Sequence, residues 1–510
     1  MKDLVVGIDS STQSAKAIAW TKSGELVAEG RSPIELHNPR LYWFEQNSRD
    51  WWDSCRVALQ QLTARVKPER IAAISISNQR ETVAFVNHDG EDVRPAMVWL
   101  DERSRQQVDE LASRIGADVI HDITGRPVDI TPVLYRLVWL KENEPEAFEL
   151  TQLFTDVQAY LVYHLSGQWK TGWFSADPMG YFDIRKKEYS PTLLNYLGLA
   201  ATRFPEPLAP GTKIGSVTKQ AARLTGLLPE TAIFAGGGDG QCAALGTNCI
   251  TSDQAYINLG TAVVSGVWSP QCLNKKAWRT EISPTGEGYI LETCLRSGAF
   301  LINWFVDQFL PGNRGEKDFF KKLEQQAQDI PIGSDGLITL PYWSGVMNPH
   351  WNPNGRGCFI GLSGGHTPAH LYRSILEGMC LDQAQATTGV EKEAGLRVKR
   401  FIALGGGASS PLWTRMLADS TGKDVAISDT VEASALGAAT IAAYGAGWFE
   451  SFNEAAAAMS GKTRLVKPDP KTRQTWDELL AIYGRLFPDN EETFNALIKF
   501  AVKSSKEMGK

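Results

Sequence analysis

A run of glycines near the middle of the chain carries a single carboxylate, in Gly236-Gly237-Gly238-Asp239-Gly240-Gln241. Glycines let a ligand approach the backbone closely, and a lone Asp beside such a surface can accept a proton from a substrate hydroxyl. Asp239 could equally cap the helix that follows it. Residues 238–243 also fit the loose G-x-G-x-x-A dinucleotide pattern, but a carboxylate in that loop would repel a pyrophosphate. Asp239 is therefore our candidate general base.

A polar loop between two predicted strands lies near the start of the chain, in Asp9-Ser10-Ser11-Thr12-Gln13-Ser14, and leads to Lys16. Backbone N–H groups and small hydroxyls of such a loop can contact phosphate oxygens. Lys16 can neutralise phosphate charge, and Asp9 at a strand end can hold a hydrated Mg²⁺. An ordinary polar hairpin would have the same composition. A similar turn, Gly260-Thr261-Ala262, follows about half a chain later, and two such hairpins facing a cleft would form a clamp for a polyphosphate.

Two further segments could bind organic groups. Gly405-Gly406-Gly407-Ala408-Ser409-Ser410-Pro411 runs from a predicted strand into a helix start. Its flat glycine surface could accept a base or a ribose, and Ser410 offers a hydroxyl, although such turns often serve packing alone.

The second segment is Asn78-Gln79-Arg80-Glu81-Thr82, with Trp99 further on. Arg80 can donate to hydroxyls and Glu81 can accept from them, while a Trp face covers C–H surface, as a polyol site requires. The alternatives are a solvated ion pair for Arg80 and Glu81, and a core position for Trp99.

Strands must position these side chains. The pattern predicts strands at residues 4–8 and 15–20 and a third strand after Lys22-Ser23-Gly24, joined as hairpins. It then predicts a helix that ends before Pro68 and a buried strand at residues 71–77. This order predicts a mixed sheet and differs from the order of a dinucleotide-binding domain. A second unit of strand, hydroxyl-bearing turn and strand lies at residues 255–268. This repetition indicates two similar halves, which we expect at 1–248 and 249–510.

The composition excludes several classes of protein. The chain has 510 residues, a net charge of −6 and 43% hydrophobic residues, which predicts a folded protein of two or three domains without a general attraction to nucleic acid or anionic membranes. Its seven cysteines form no C-x-x-C pair, so neither disulfides nor a zinc site is expected. The first residues lack the apolar stretch of a signal peptide, and no apolar run reaches bilayer-spanning length. We therefore expect a cytoplasmic protein.

Together these segments resemble the FGGY carbohydrate kinases of the actin/Hsp70-like ATPase superfamily. The most specific stretch is Gly357-Cys358-Phe359-Ile360-Gly361-Leu362, then seven residues, then His370-Leu371-Tyr372-Arg373-Ser374-Ile375-Leu376-Glu377, which fits the family's C-terminal signature at every defined position. The other signature departs from the family pattern. Val133 stands where Pro, Ser or Thr is usual, and Arg136 stands where Lys is usual.

The resemblance implies an α/β protein of two actin-like (ribonuclease H-like) domains with mixed sheets flanked by helices, binding ATP and sugar in the cleft between them. It implies that Asp239 is the catalytic base and that Asp9 and Asp239 hold Mg²⁺ through water. The nucleotide-binding residues that it implies are Ser11, Thr12, Gln13, Lys16, Gly260, Thr261, Gly405, Gly406, Gly407 and Ser410. The substrate-binding residues that it implies are Gln79, Arg80, Glu81, Trp99, Asp239 and Gln241.

The implied reaction is transfer of the γ-phosphoryl of ATP to a hydroxyl of a sugar, ketose or polyol. The segment 78–82 and Trp99 are similar to the glycerol-kinase pattern, but Thr131 stands where a substrate-binding Tyr is expected, and the adenosine loop is closer to that of xylulokinases. A ketopentose such as xylulose or a related polyol is therefore the expected acceptor, with glycerol as the alternative. A non-kinase ATPase of the same superfamily and a dinucleotide-dependent oxidoreductase are two competing hypotheses for the function, and a homodimer is left open.

Overall fold

The structure is a computed structural model that describes residues 2–507 except 311, 313 and 317. The strands of the first half are Leu4–Ser10 (β1), Ser14–Trp20 (β2), Leu26–Pro33 (β3), Glu45–Gln46 (β4), Ile71–Asn78 (β5), Val83–Val86 (β6), Asp92–Met97 (β7), Leu153–Thr155 (β8), Lys170–Gly172 (β9), Phe182–Asp183 (β10), Glu188–Tyr189 (β11), Glu206–Leu208 (β12), Lys213–Ser216 (β13) and Ala232–Gly238 (β14). Its helices are Ser48–Thr63 (α1), Arg105–Leu111 (α2), Ala117–Thr124 (α3), Val133–Asn143 (α4), Pro145–Leu150 (α5), Val157–Ser166 (α6), Trp173–Ala176 (α7), Pro191–Leu197 (α8), Lys219–Thr225 (α9) and Asp239–Gly246 (α10).

The second half repeats this alternation of strands and helices. Its strands are Gln254–Leu259 (β15), Val263–Ser269 (β16), Arg279–Ile282 (β17), Tyr289–Leu295 (β18), Ile338–Leu340 (β19), Cys358–Ile360 (β20), Arg400–Leu404 (β21), Asp424–Ser428 (β22) and Thr463–Val466 (β23). Its helices are Ala299–Phe309 (α11), Phe319–Gln328 (α12), Pro368–Ala394 (α13), Pro411–Thr421 (α14), Ala433–Gly445 (α15), Phe452–Met459 (α16) and Arg473–Glu507 (α17).

Each half is built on one large mixed sheet, as the hairpin order predicts. The first sheet has the order β13-β14-β5-β1-β2-β3, and the second has the order β17-β18-β16-β15-β21-β22-β23. In the first sheet, β1 pairs antiparallel with β2 on one side and parallel with β5 on the other. In the second sheet, β15 pairs in the same way with β16 and β21. The two halves therefore share one strand arrangement, and the predicted α/β fold with two mixed sheets is confirmed.

Helix α15, from late in the chain, packs on the first sheet. Ala435, Leu436 and Ala439 of α15 belong to the hydrophobic cluster that also contains Val5 and Ile18 of β1 and β2. The approach is close, since a Cβ built on Gly7 would lie 1.8 Å from the carbonyl oxygen of Ala435. The domain boundary at 248 and 249 stays a prediction, and the chain crosses between the two cores a second time at α15 and α16.

The glycines that precede Asp239 form the end of a strand and not the expected loop. Strand β14 continues through Gly237 and Gly238, which pair with Ser77 and Asn78 of β5, and helix α10 begins directly at Asp239. No side chain fits there, because a Cβ on Gly237 would lie 2.4 Å from the Phe174 ring. Within the described residues, no helix combines the length and the apolar character that crossing a membrane requires.

Candidate active site

The carboxyl ends of three neighbouring parallel strands meet at one edge of the first sheet. Ser10 of β1 lies opposite Asn78 of β5, and Asn78 lies opposite Gly238 of β14. The segments that leave these strands are the loop after Asp9, the Gln79 segment and Asp239. The register therefore brings together three regions that the sequence predicts to be functional, in the position where open α/β sheets bind their ligands.

Asp9 and Asp239 lie in the same electrostatic environment. Asp9 is buried and its Oδ1 accepts a hydrogen bond from Ser77 Oγ at 3.0 Å. Burial raises the pKa of Asp9 to about 6, Lys16 opposes the rise and the Asp239 carboxylate adds to it. Partial loss of solvation also raises the pKa of Asp239, and the guanidinium of Arg80 opposes the rise. Because the Asp239 carboxylate makes Asp9 harder to ionise, a cation bound near both would offset that repulsion.

Asp239 remains accessible at the first turn of α10. Its side chain is 41% exposed, its Oδ1 accepts from the backbone N–H of Gly240 at 2.8 Å, and Arg80 Nε lies 3.2 Å from the same oxygen. Among the hydrogen bonds of the described residues, none is donated to the other carboxylate oxygen. The side chain is held from one side and is free to meet a substrate hydroxyl from the other.

The donor set fits a hydrated Mg²⁺. Across the described ranges no group of three or more His, Cys, Asp or Glu side chains could enclose a metal ion. Mg²⁺ commonly binds one or two carboxylates together with water and substrate phosphates, and Asp9 and Asp239 would supply the carboxylates. Their role as metal ligands stays a prediction.

The first loop is a tight turn that closes on itself. The backbone N–H and the hydroxyl of Ser11 both donate to the carbonyl of Ser14, at 3.0 and 2.9 Å. Gln13 is exposed at the tip, and Lys16 lies directly opposite Asp9 across the hairpin. Lys16 also forms an ion pair with Glu432, next to the start of α15. The predicted phosphate-binding lysine therefore already has an anionic partner from the second half.

The turn at Gly260 and Thr261 adjoins the loop Gly405-Gly406-Gly407, because β15 and β21 are parallel neighbours with Asn258 opposite Leu404. Thr261 is exposed at the tip of its turn. Gly405 has φ = +83°, and its missing Cβ leaves room for the Asn258 side chain, while Gly406 faces open space. Beyond them, Gly407 lies against the Trp413 ring, and Ser410 Oγ caps α14 by accepting from Trp413 N at 3.0 Å. Gly406 is therefore the glycine of this loop with most room for a ligand.

Trp99 and Gln79 join the first loop. Trp99 is half-buried, and its indole N–H donates to Thr12 Oγ at 2.9 Å. Thr12 Oγ donates in turn to Gln79 Oε1 at 3.1 Å. The predicted sugar-binding and phosphate-binding residues thus share one hydrogen-bonded group.

Arg80 and Glu81 belong to a buried charge cluster between the two halves, and we name its members the arginine–glutamate cluster: Arg80, Glu81, Arg126, Arg279, Glu281 and Glu292. Arg80 donates to Glu281 at 2.7 Å and to Glu292 at 3.1 Å. Arg126 bridges Glu81 at 3.0 Å and Glu281 at 2.6 Å. The side chains of the cluster are at most 8% exposed. Among the salt bridges of the described residues, Arg80 is the one member of the cluster that contacts Asp239.

Sequence reasoning missed the second-half members of this cluster. Arg279 pairs directly with Glu292 across the β17-β18 hairpin, and Glu281 follows Arg279 on the same face. Although burial alone raises the pKa of Glu292, Arg279 and Arg80 lower it to about 2. The signal that could have found these residues is the charge at alternate positions of β17, a strand that is buried along its length.

Arg136 explains one departure from the family signature. This fully buried side chain donates to the carbonyls of Val98 at 2.6 Å, Glu81 at 2.6 Å and Thr131 at 2.5 Å. It thereby holds the segments that carry Glu81 and Trp99.

Gln241 is also fully buried, and among the described residues neither polar atom of its amide has a hydrogen-bond partner. Its predicted contact with substrate therefore requires a change in its surroundings.

Comparisons with known proteins agree with this architecture. The FGGY family of carbohydrate kinases matches with its N-terminal domain at residues 4–246 and with its C-terminal domain at residues 255–446. The chain is 29% identical to a xylulose kinase of Bacillus subtilis over 97% of this chain and 99% of the relative. It is 25% identical to a gluconokinase of the same organism over 95% of this chain and 96% of the relative.

A solved structure has the same fold. It is the ligand-bound xylulose kinase from Lactobacillus acidophilus, which superposes with a TM-score of 0.90 at 23% identity and covers 97% of this chain and 99% of its own. The two family matches together span most of the sequence, and the paired mixed sheets are those that the resemblance implies. The chain therefore belongs to the FGGY family of carbohydrate kinases and is an ATP-dependent sugar kinase.

Proposed function

We propose that this enzyme transfers the γ-phosphoryl group of ATP to a hydroxyl of a neutral ketopentose such as xylulose, or of a related polyol. The observation that carries the proposal is the position of Asp239. It stands at the first turn of α10, where three strand ends meet, and Arg80 holds one carboxylate oxygen while the side chain stays 41% exposed. That geometry suits a base that orients an incoming hydroxyl and accepts its proton as the new P–O bond forms.

The remaining residues supply position and charge. Phosphoryl transfer passes through a loose transition state, so alignment of the reactants and neutralisation of phosphate charge provide most of the catalysis. The first loop with Lys16 and the turn at Gly260 and Thr261 would hold the phosphates, and the Gly405 loop would hold the adenosine. Mg²⁺ bound by Asp9 and Asp239 through water would offset the negative charge of the phosphates.

The charge of the arginine–glutamate cluster supports a neutral acceptor. Its three guanidinium groups are all paired with the carboxylates of Glu81, Glu281 and Glu292, and Asp239 adds a fourth negative charge. A substrate carboxylate would have to displace one of these buried partners. The xylulose kinase relative therefore indicates the substrate class better than the gluconokinase relative does. Glycerol stays the alternative, because residues 78–82 match its pattern.

We further propose that the enzyme works in the cytoplasm, because its cysteines form no predicted disulfide framework, and that it can form a homodimer. The free thiols of Cys55, Cys242, Cys249 and Cys380 are buried, which is compatible with a reducing compartment. Size-exclusion chromatography with light scattering would measure the oligomeric state directly.

The test is an assay that couples ADP release to absorbance, run with D-xylulose, D-ribulose, pentitols, erythritol, glycerol and D-gluconate. We expect the largest kcat/KM for a neutral ketopentose or pentitol. A ratio that favours gluconate would contradict the neutral-acceptor assignment, and ADP release independent of any sugar would contradict the proposed reaction.

A further inference from the structure

Gln46 is a fully buried glutamine in β4 whose side-chain amide makes four hydrogen bonds. Its Nε2 donates to the carbonyl of Thr12 at 2.7 Å and to the carbonyl of Glu35 at 3.2 Å. Its Oε1 accepts from Trp51 Nε1 and from Gln79 Nε2, both at 2.9 Å. Two of these partners, Thr12 and Gln79, belong to the candidate active site, and Gln46 itself does not face the cleft.

The partners of Gln46 fix the direction of every hydrogen bond around it. The Trp51 indole can only donate and the two backbone carbonyls can only accept, so the amide of Gln46 has one allowed orientation. Gln79 must then present its Nε2 to Gln46 and its Oε1 to Thr12. The Trp99 indole also can only donate, so the Thr12 hydroxyl accepts from Trp99 and gives its own hydrogen to Gln79.

These bonds close a ring through two functional segments. The ring runs from the Thr12 carbonyl to Gln46, from Gln46 to Gln79, and from Gln79 back to the Thr12 hydroxyl, with Trp99 attached at that hydroxyl. A shift of Trp99 or Gln79 therefore moves the turn that carries Thr12. Because the hydrogen of the Thr12 hydroxyl is committed to Gln79, Thr12 can offer a donor to a phosphate only from its backbone N–H.

We propose that Gln46 is a positioning residue that couples Gln79 and Trp99, the residues expected to contact sugar, to the loop that is expected to bind phosphate. This inference rests on the proposed function and on the sugar contacts of Gln79 and Trp99 that the family resemblance implies. Its consequence is thermodynamic. Sugar binding orders the ring in the geometry that the phosphates require, and nucleotide binding improves the affinity for sugar by the same factor.

The experiment measures the dissociation constant of D-xylulose by calorimetry, with and without Mg²⁺ and the non-hydrolysable analogue AMP-PNP. For the wild type we expect sugar to bind at least about fivefold more tightly in the presence of the nucleotide analogue. In Gln46→Met, which keeps a similar volume and removes all four hydrogen bonds, we expect the ratio to fall towards 1. Gln46→Glu is the second variant, since its carboxylate cannot donate to the carbonyls of Thr12 and Glu35.

Gln158 provides a matched control in the same half of the chain. It is fully buried, and its amide also bridges two backbone groups, donating to the Ile76 carbonyl at 2.9 Å and accepting from Gly172 N at 2.7 Å. It has no hydrogen bond to Thr12, Gln79 or Trp99. We expect Gln158→Met to lower the melting temperature while leaving the ratio of sugar affinities at the wild-type value.

The outcomes separate the two proposals. A wild-type ratio retained in a folded Gln46→Met or Gln46→Glu, or an equal loss in Gln158→Met, overturns the role of Gln46. A wild type that phosphorylates D-xylulose with a ratio of 1 also overturns it and leaves the proposed function intact. A wild type that phosphorylates none of the sugars tested overturns the proposed function itself.

Discussion

Lys16 Nζ lies 2.5 Å from Glu432 Oε2, and this ion pair joins the first loop, which is predicted to bind phosphate, to the residue that precedes α15. Arg31 holds the other oxygen of Glu432 at 2.8 Å. Lys16 and Glu432 are more than four hundred positions apart in the sequence, and both side chains are largely buried. An incoming phosphate must share Lys16 with this carboxylate or replace it.

We therefore expect Glu432→Gln to lower the KM for MgATP. Removing the competing carboxylate leaves Lys16 free for phosphate, and the loss of an ion pair worth about 1 kcal/mol corresponds to about a fivefold change. The measurement is steady-state kinetics at low and high salt, and the effect should shrink as salt screens the pair. Glu25→Gln, on the exposed β2-β3 turn, serves as the control. A higher KM in Glu432→Gln would show that Glu432 supports the phosphate site.

Asp239→Asn should remove turnover and preserve folding. The amide keeps the shape of the side chain but cannot accept the proton of the substrate hydroxyl, so we expect kcat to fall by about 10²–10⁴-fold. Circular dichroism and calorimetry with D-xylulose check that fold and binding remain. Asp253→Asn, at an exposed ion pair with Lys399, should leave kcat unchanged. A nearly normal kcat in Asp239→Asn would refute the role of this residue as the base.

Asp177 should make stability depend on pH. It is buried, its Oδ2 accepts from Ile282 N at 2.6 Å, and burial together with Glu281 raises its pKa to about 8. A carboxyl whose pKa is raised by folding favours the folded state while it is protonated. This stabilisation is complete below the ordinary Asp pKa and is lost as pH rises through the folded value of about 8.

The measurement for Asp177 is the melting temperature between pH 5 and pH 9. We expect the wild type to lose stability relative to Asp177→Asn as pH rises towards 8, with the difference levelling off above that pH. Asn keeps an oxygen for Ile282 N and does not ionise. Parallel pH profiles of the two proteins would contradict the shifted pKa.

Arg136→Lys should weaken the sugar site more than the nucleotide site. Lysine cannot reach the carbonyls of Val98, Glu81 and Thr131 at once, and leaving buried carbonyls unpaired costs about 1–3 kcal/mol each. We expect a lower melting temperature and a KM for sugar that rises more than the KM for ATP. Arg203→Lys is the control, since Arg203 also donates to two backbone carbonyls, those of Thr151 and Gln152. Equal changes in both KM values would indicate a general loss of stability.

Local chemistry determined the predicted elements. Ser410 caps α14 by accepting from Trp413 N, and Thr367 with His370 forms a capping box at the start of α13, because capping depends on residues within one turn. The two hairpins with hydroxyl turns could be predicted from apolar, β-branched runs that flank small hydroxyl residues. The sequence also marked Asp239 as a lone carboxylate in a glycine run, but only the structure extends β14 through Gly238 up to that residue.

Tertiary structure decided which of these residues act together. Arg80 meets Glu281 and Glu292 two hundred positions away, and Gln46 meets Gln79 through a buried amide that no local pattern marks. Such pairs depend on the register of strands and on which faces are buried against each other, and those are properties of the whole fold. The sequence alone therefore determined the elements and the candidate residues, whereas the packing of the two halves decided their partners, their charges and the direction of their hydrogen bonds.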